Sequence, residues 1–192
     1  HESKVREMGR TATGVRGMLL DEDGQDEVIG MICVNKDAGE TVMVVSQQGY
    51  GKRTLLDEVD EQGNLVLDEN GEIVPVYRVT NRGGKGVKTM NITDKTGKLV
   101  SIKNVSDEND LMIINKSGIT IRLKVADVRV MGRATQGVRL INLEKRNDEI
   151  ASVCKVLSEN EEEVVEVESV ETESATDIES APETNVEEQT QE

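Results

Sequence analysis

The residues with the clearest chemical potential are cations set around glycines. In "NRGGKG" (81–86), Arg82 and Lys85 accompany Gly83, Gly84 and Gly86. Glycine has no Cβ and takes positive φ at little cost, so such a loop lets another molecule come close to the main chain. The two side chains would then add positive charge for an anion. The loop is no nucleotide cradle: neither "RGGKGVKT" nor "GYGKRT" has the G-x-x-x-x-G-K-[ST] spacing of a phosphate-binding P-loop. Taken alone, the hexapeptide reads first as a surface turn between two strands.

Comparison with the rest of the chain changes that balance. "VREMGRTATGVRG" (5–17), "RVTNRGGKGVKTM" (78–90) and "RVMGRATQGVRLI" (129–141) are one pattern written three times. Anchored on Gly14, Gly86 and Gly137, they place cations in three columns: Arg6, Arg78 and Arg129; Arg10, Arg82 and Arg133; Arg16, Lys88 and Arg139. A valine always follows the anchor glycine. A second pattern recurs without gaps, as "TVMVVSQQGYGKRTLLDEV" (41–59) aligns on "DLMIINKSGITIRLKVADV" (110–128), pairing Gly49 with Gly118 and Arg53 with Arg122. Lys52 precedes Arg53 in the first copy. Repetition at about 50 residues predicts a propeller or solenoid.

Groups for catalysis are scarce. His1 is the only histidine, which leaves neither a histidine-based triad nor a zinc site. The acidic clusters "DEDGQDE" (21–27) and "DEQGNLVLDENGEIVP" (60–75) do not match the D-x-[DN]-x-[DN]-G-x₅-E calcium loop and read as solvated turns. Cys33 and Cys154 sit in apolar runs at unmatched repeat positions and are expected to be two buried free thiols in a reducing cytoplasm. No run of residues has the length and apolarity of a membrane span, and no signal peptide or lipid motif is evident.

The formal net charge is −15, with 38 acidic and 23 basic residues. From Ser158 onward there are 14 acidic residues and no Lys or Arg, so 1–157 carries 24 acids against 23 bases, a net charge of −1. The segment 158–192 cannot bury enough apolar surface to offset its ordering entropy and is expected to be a disordered acidic tail. The body, 1–157, has no Phe or Trp and two tyrosines, Tyr50 and Tyr77; its core must be built from Val, Ile, Leu and Met, which suits pleated sheets. The sequence begins at His1, with a repeat already under way, as expected of the end of a longer protein.

The elements that must position the cations are short strands. Within 78–128 the runs "GVKTMNI", "KLVSIKNV", "DLMIIN" and "ITIRLKV" predict four strands separated by turns rich in Gly, Asp, Asn and Ser. The stretch 60–75 reads as an inserted hairpin. No segment of the body keeps a 3.6-residue apolar period, so the expected class is all-β, with four-stranded blade repeats in a partial propeller-like array. In a radial repeat, equivalent residues reach equivalent places on one rim, and the three columns form a basic belt. Arginine and lysine at regular spacing fit a polyphosphate such as the DNA backbone, and the near absence of aromatic residues disfavours single strands. A scatter of solvated charges is the bland alternative, and it explains poorly why three columns keep their sign in all copies.

These motifs resemble a known family. "MGRTATGVRG", "GYGKRT" and "MGRATQGVRLI" are similar, in order, to the blade motifs of the C-terminal domain of the DNA gyrase A subunit, across the whole body and the acidic tail. "RGGKG" resembles the core of that family's box, whose usual form begins Gln-Arg-Arg; here Asn81 precedes Arg82, as in a later, degenerate echo. The resemblance implies a β-pinwheel, a propeller whose blades exchange strands. It further implies that duplex DNA wraps with positive handedness around a rim that includes Lys52, Arg53, Lys85 and Arg122 besides the nine column cations. The parent enzyme would be an ATP-hydrolysing type II topoisomerase in the bacterial cytoplasm, associated with the chromosome, with an A2B2 assembly of A and B subunits. ATP and magnesium would act on other domains and no cofactor on this one; neither Tyr50 nor Tyr77 has the context of a cleavage tyrosine. Two alternatives stay open: the C-terminal DNA-binding domain of the topoisomerase IV A subunit, or a propeller scaffold for an acidic protein partner.

Overall fold

In the computed structural model, residues 5–21, 26–143 and 147–158 are described, within one compact unit that closes at Ser158. The expected acidic tail lies outside the described residues from Glu159 onward. Among the described residues seven strands form: β1 (Thr41–Ser46), β2 (Tyr50–Thr54), β3 (Leu99–Val105), β4 (Asn109–Asn115), β5 (Thr120–Lys124), β6 (Val138–Arg139) and β7 (Ile150–Leu157). They make two antiparallel sheets, with orders β3-β1-β2-β6 and β5-β4-β7. No α-helix occurs among the described residues; two short 3₁₀ turns lie at Lys36–Ala38 and Val125–Asp127.

The sheets are copies of one design. β1 and β2 align on β4 and β5, as the second sequence pattern requires, and β3 stands to β1 as β7 stands to β4. Register agrees: the β1–β3 ladder slips between Val45 and Ser46, and the β4–β7 ladder slips between the equivalent Ile114 and Asn115. The sequence unit and the structural sheet are offset, however. Of the unit 78–128, β3 joins the first sheet while β4 and β5 join the second. Blades therefore share strands with their neighbours along the chain, because the long link between β2 and β3 carries the chain across before pairing resumes.

Alternation sorts the core. Met43 and Val45 of β1 face Val105, Leu111, Ile113, Val125, Val128, Leu143, Ile150 and Val153 in a cluster shared by the two sheets. Val42 and Val44 point the other way, onto Tyr50 and Met90, with Ile32, Val34, Leu56 and Tyr77 packed around them. β1 is thus buried on both faces, which is why "TVMVVS" is a continuous apolar run rather than an alternating one. Each fully buried aliphatic side chain contributes about 1.5–3 kcal/mol, enough to hold a body without Phe or Trp.

Three expectations are corrected. "GVKTMNI" (86–92) is no strand: Gly86 has φ +78°, and the segment bends at Met90, which sits in the core, while Asn91 N–H is bonded to Thr135 O (3.0 Å). The first sheet takes its fourth strand, β6, from the third motif copy instead. Cys33 and Cys154 are free but exposed, since the apolar positions around them face the core and they do not. The insertion is more than a hairpin. Bridges Asp57↔Pro75, Val59↔Leu65 and Leu67↔Ile73 tie three segments together. Val66 N–H donates to Glu58 O (2.9 Å), Val74 N–H to Val66 O (3.0 Å) and Glu58 N–H to Val74 O (2.8 Å), closing a ring. Asp60 and Asp68 cap its two turns by accepting backbone N–H groups at 2.8–2.9 Å, and those bonds hold both carboxyls below the ordinary range.

Candidate nucleic-acid interface

The three motif copies have one local structure. Ala12 N–H donates to Gly9 O (3.0 Å), Gly84 to Asn81 (3.3 Å) and Thr135 to Gly132 (3.3 Å), closing the same four-residue turn at the same motif position. Arg10, Arg82 and Arg133 occupy the second place of each turn. Two residues beyond the turn's closing N–H, the anchor glycines Gly14, Gly86 and Gly137 have φ of +88°, +78° and +82°. A side chain with a Cβ is strained there, so a glycine stands in each copy to swing the chain back after its cation.

Main-chain bonds then tie the copies together. Gly83 N–H donates to Gly17 O (3.0 Å) and Leu19 N–H to Gly84 O (3.0 Å), which sets Arg16 beside the Arg82–Lys85 loop. On the other side, Asn91 N–H donates to Thr135 O (3.0 Å) and Arg133 Nη1 to Lys88 O (3.1 Å). The second copy is the link between the first and the third. Arg6, Arg10, Arg16, Arg78, Arg82, Lys85, Lys88, Arg129 and Arg139 are exposed, and Arg133 is half-buried.

Of three further predicted contacts, Lys52 and Arg53 are buried, and Arg122 is exposed but paired within the fold. Lys52 is completely buried, its Nζ donating to Gly132 O (2.5 Å), Arg133 O (2.6 Å) and Thr135 Oγ1 (3.2 Å). Burial, with Arg133 nearby, lowers its pKa from 10.5 to about 8. Arg53 is buried as well; Nε donates to Val128 O (2.6 Å), and its guanidinium pairs with Asp107. Arg122 donates from Nε to the buried Asp110 carboxylate (2.7 Å) and from Nη2 to Leu157 O (3.3 Å). All three hold the fold, and a phosphate could take them only by stranding buried polar partners.

Lys52 nevertheless shapes the third turn. A trans peptide directs C=O and the next N–H to opposite sides. With Gly132 O and Arg133 O drawn inward to Nζ, the N–H groups of Arg133 and Ala134 point away from Lys52, on the side of the turn opposite to it. Sequence reading missed this role, and it also missed Lys95, an exposed cation 5.7 Å from the Tyr50 ring centroid. Lys95 belongs to no repeat column, so only the folded chain reveals it.

Among the described residues no three metal-capable groups converge, and no helix is long and apolar enough to cross a membrane. A cleft of about 520 Å³ lies beside the third copy, bounded by Thr54, Asp57, Glu58, Met131 and Arg133.

Comparison with known proteins agrees with the repeats. The chain is 40% identical over 177 residues to the DNA gyrase A subunit of Staphylococcus aureus (strain MRSA252), covering 92% of this chain and 18% of that protein. It is 41% identical over 166 residues to the gyrase A protein of strain NCTC 8325 / PS 47, covering 86% and 16%. It thus spans under a fifth of the length of these relatives. Among solved structures, a DNA gyrase A C-terminal domain superposes with TM-score 0.56 at 24% identity, over 80% of this chain and 45% of that one. The C-terminal domain of DNA topoisomerase IV superposes with TM-score 0.60 at 21% identity, over 81% and 42%. At those identities the likeness establishes the fold, an all-β propeller type. Residues 1–35, 40–77, 76–106 and 109–154 match the family described as "DNA gyrase C-terminal domain, beta-propeller", and the chain belongs to that family.

Proposed function

We propose that this chain binds duplex DNA along its exposed basic columns and wraps it, as the C-terminal part of a gyrase A protein. The observation that carries the reading is the triple turn: three motif copies, one backbone conformation, and a cation at the same place in each. Arg6, Arg10, Arg16, Arg78, Arg82, Lys85, Lys88, Arg129, Arg133 and Arg139 form the contact set. Lys52 and Arg53 support it from inside, and Arg122, at the surface, anchors β5 through the buried Asp110. Spacing on the backbone rather than an array of base-reading side chains fits phosphate contact, which is independent of sequence.

In the parent enzyme, wrapping would present a DNA segment to the breakage site for ATP-dependent negative supercoiling, with the B subunit in an A2B2 assembly. ATP and magnesium would act on other domains, and the enzyme would work on the chromosome in the bacterial cytoplasm. The topoisomerase IV alternative shares the fold; the 40–41% identical relatives are gyrase A proteins, which favours the gyrase reading.

The test is the salt dependence of duplex binding. Each phosphate contact adds about 0.9 to the log–log slope, so the ten cations set a ceiling of about nine. A steep slope that is the same for unrelated duplexes supports the proposal; a flat response overturns it and favours a scaffold for an acidic protein.

A further inference from the structure

Tyr50 is 7% exposed at the start of β2, directly across the ladder from Arg139 of β6. Its Oη accepts from Arg139 Nη2 (3.0 Å) and Nε (3.3 Å), and the guanidinium carbon lies 5.5 Å from the ring centroid. A hydroxyl has two lone pairs and one hydrogen, so accepting two N–H groups fixes the guanidinium plane and leaves the phenolic hydrogen to be donated elsewhere. Lys95 reaches the same ring, with Nζ 5.7 Å from the centroid.

The turn that carries Lys95 is fixed by hydrogen bonds of its own. The buried Thr96 hydroxyl donates to Thr93 O (3.0 Å) and accepts from Thr93 N–H (2.9 Å). Gln48 N–H donates to Thr96 O (2.9 Å), and Gln136 Nε2 donates to Thr93 Oγ1 (2.7 Å). The turn that carries Lys95 is therefore fastened both to the β1–β2 hairpin and to the third motif copy. Two exposed cations and a phenol converge from β2, β6 and this turn, and both cations lower the Tyr50 pKa, Arg139 most.

We propose that Tyr50, Arg139 and Lys95 form a clamp for a single DNA phosphate, with Tyr50 as the positioning residue for Arg139 and Lys95 as an additional contact outside the repeat columns. The clamp rests on the duplex-binding reading. It adds a pre-set geometry to the rim, because a guanidinium fixed in advance loses less freedom when a phosphate docks.

The experiment measures duplex affinity and salt slope for the complete 192-residue chain and for Y50F, R139A, K95Q and the Y50F/R139A double variant. K95Q, at an exposed turn, is expected to fold like the wild type and lower the slope by about 0.9. Y50F is expected to lose roughly fivefold in affinity, the worth of about one hydrogen bond, and to lose nothing further in the R139A background. Equal losses from Y50F with and without Arg139 would make Tyr50 merely structural, and an unchanged slope in K95Q would remove Lys95; either result overturns the clamp. A wild-type chain that shows no salt-dependent duplex binding would instead overturn the reading beneath it.

Discussion

Replacing Lys52 by methionine keeps the length of the side chain and removes its charge and three hydrogen bonds. The gap between the usual 10.5 and about 8 corresponds to roughly 3 kcal/mol between the unfolded and folded states. The sign follows from proton counting. Below pH 8 both states hold the proton and the cost of burying the charge is felt in full. Between pH 8 and 10.5 the unfolded chain binds more protons than the folded one, so folding stability rises with pH from this group. The assay is urea unfolding of wild type and K52M in steps of about half a pH unit across that window and just below it. Other lysines and tyrosines titrate in both proteins and cancel in the difference. The stability of the wild type relative to K52M should grow by up to about 3 kcal/mol over that window, most of it by about pH 10. A difference that stays constant with pH would refute a buried, charge-strained Lys52.

The other predictions concern the rim, the turns and the tail. Changing Arg82 and Lys85 together to alanine should lower the log–log salt slope of duplex binding by at most about two while the fold stays intact; an unfolded double variant would make the loop structural. Gly14→Ala should cost about 1 kcal/mol in thermal unfolding, from positive φ alone, since a Cβ there meets nothing within 4 Å. Gly137→Ala should cost at least about twice that, because its Cβ would sit 2.7 Å from Gly51 O, and equal costs would refute the crowding argument. Truncation after Leu157 should tighten duplex binding at low salt, with a gain that shrinks as salt rises, if the 14 acidic residues beyond compete for the same cations; equal affinities would leave the tail a solubility device.

Much of the fold is legible because repetition is a property of sequence. The alignment of 41–59 on 110–128 has its counterpart in the folded chain, where Gly49 and Gly118 share a positive φ, at +82° and +86°, and the two sheets share one slip in register. Which cations face outward is less legible, for a physical reason. A lysine in a strand reads as a solvent-facing position, yet β2 is covered on both faces and Lys52 is sheltered by backbone carbonyls 80 residues away in the chain. Carbonyl acceptors leave no mark on sequence. Arg53 and Arg122 sit at equivalent places and both end on aspartates, Asp107 and Asp110, that do not occupy equivalent places, so the repeat shows the arginines and hides their partners. Lys95 escapes for the converse reason, since its turn is defined by contacts with the third motif copy rather than by a motif of its own.

The measurement closest to the central claim is the linking number of nicked circles ligated in the presence of this chain, at low salt and increasing protein. If duplex DNA wraps around the basic columns in the gyrase sense, the circles close with a positive shift that grows with the number of bound chains and falls when Arg82 and Lys85 are changed to alanine. Circles that close at the linking number of free DNA, under conditions where the chain is bound, would contradict wrapping.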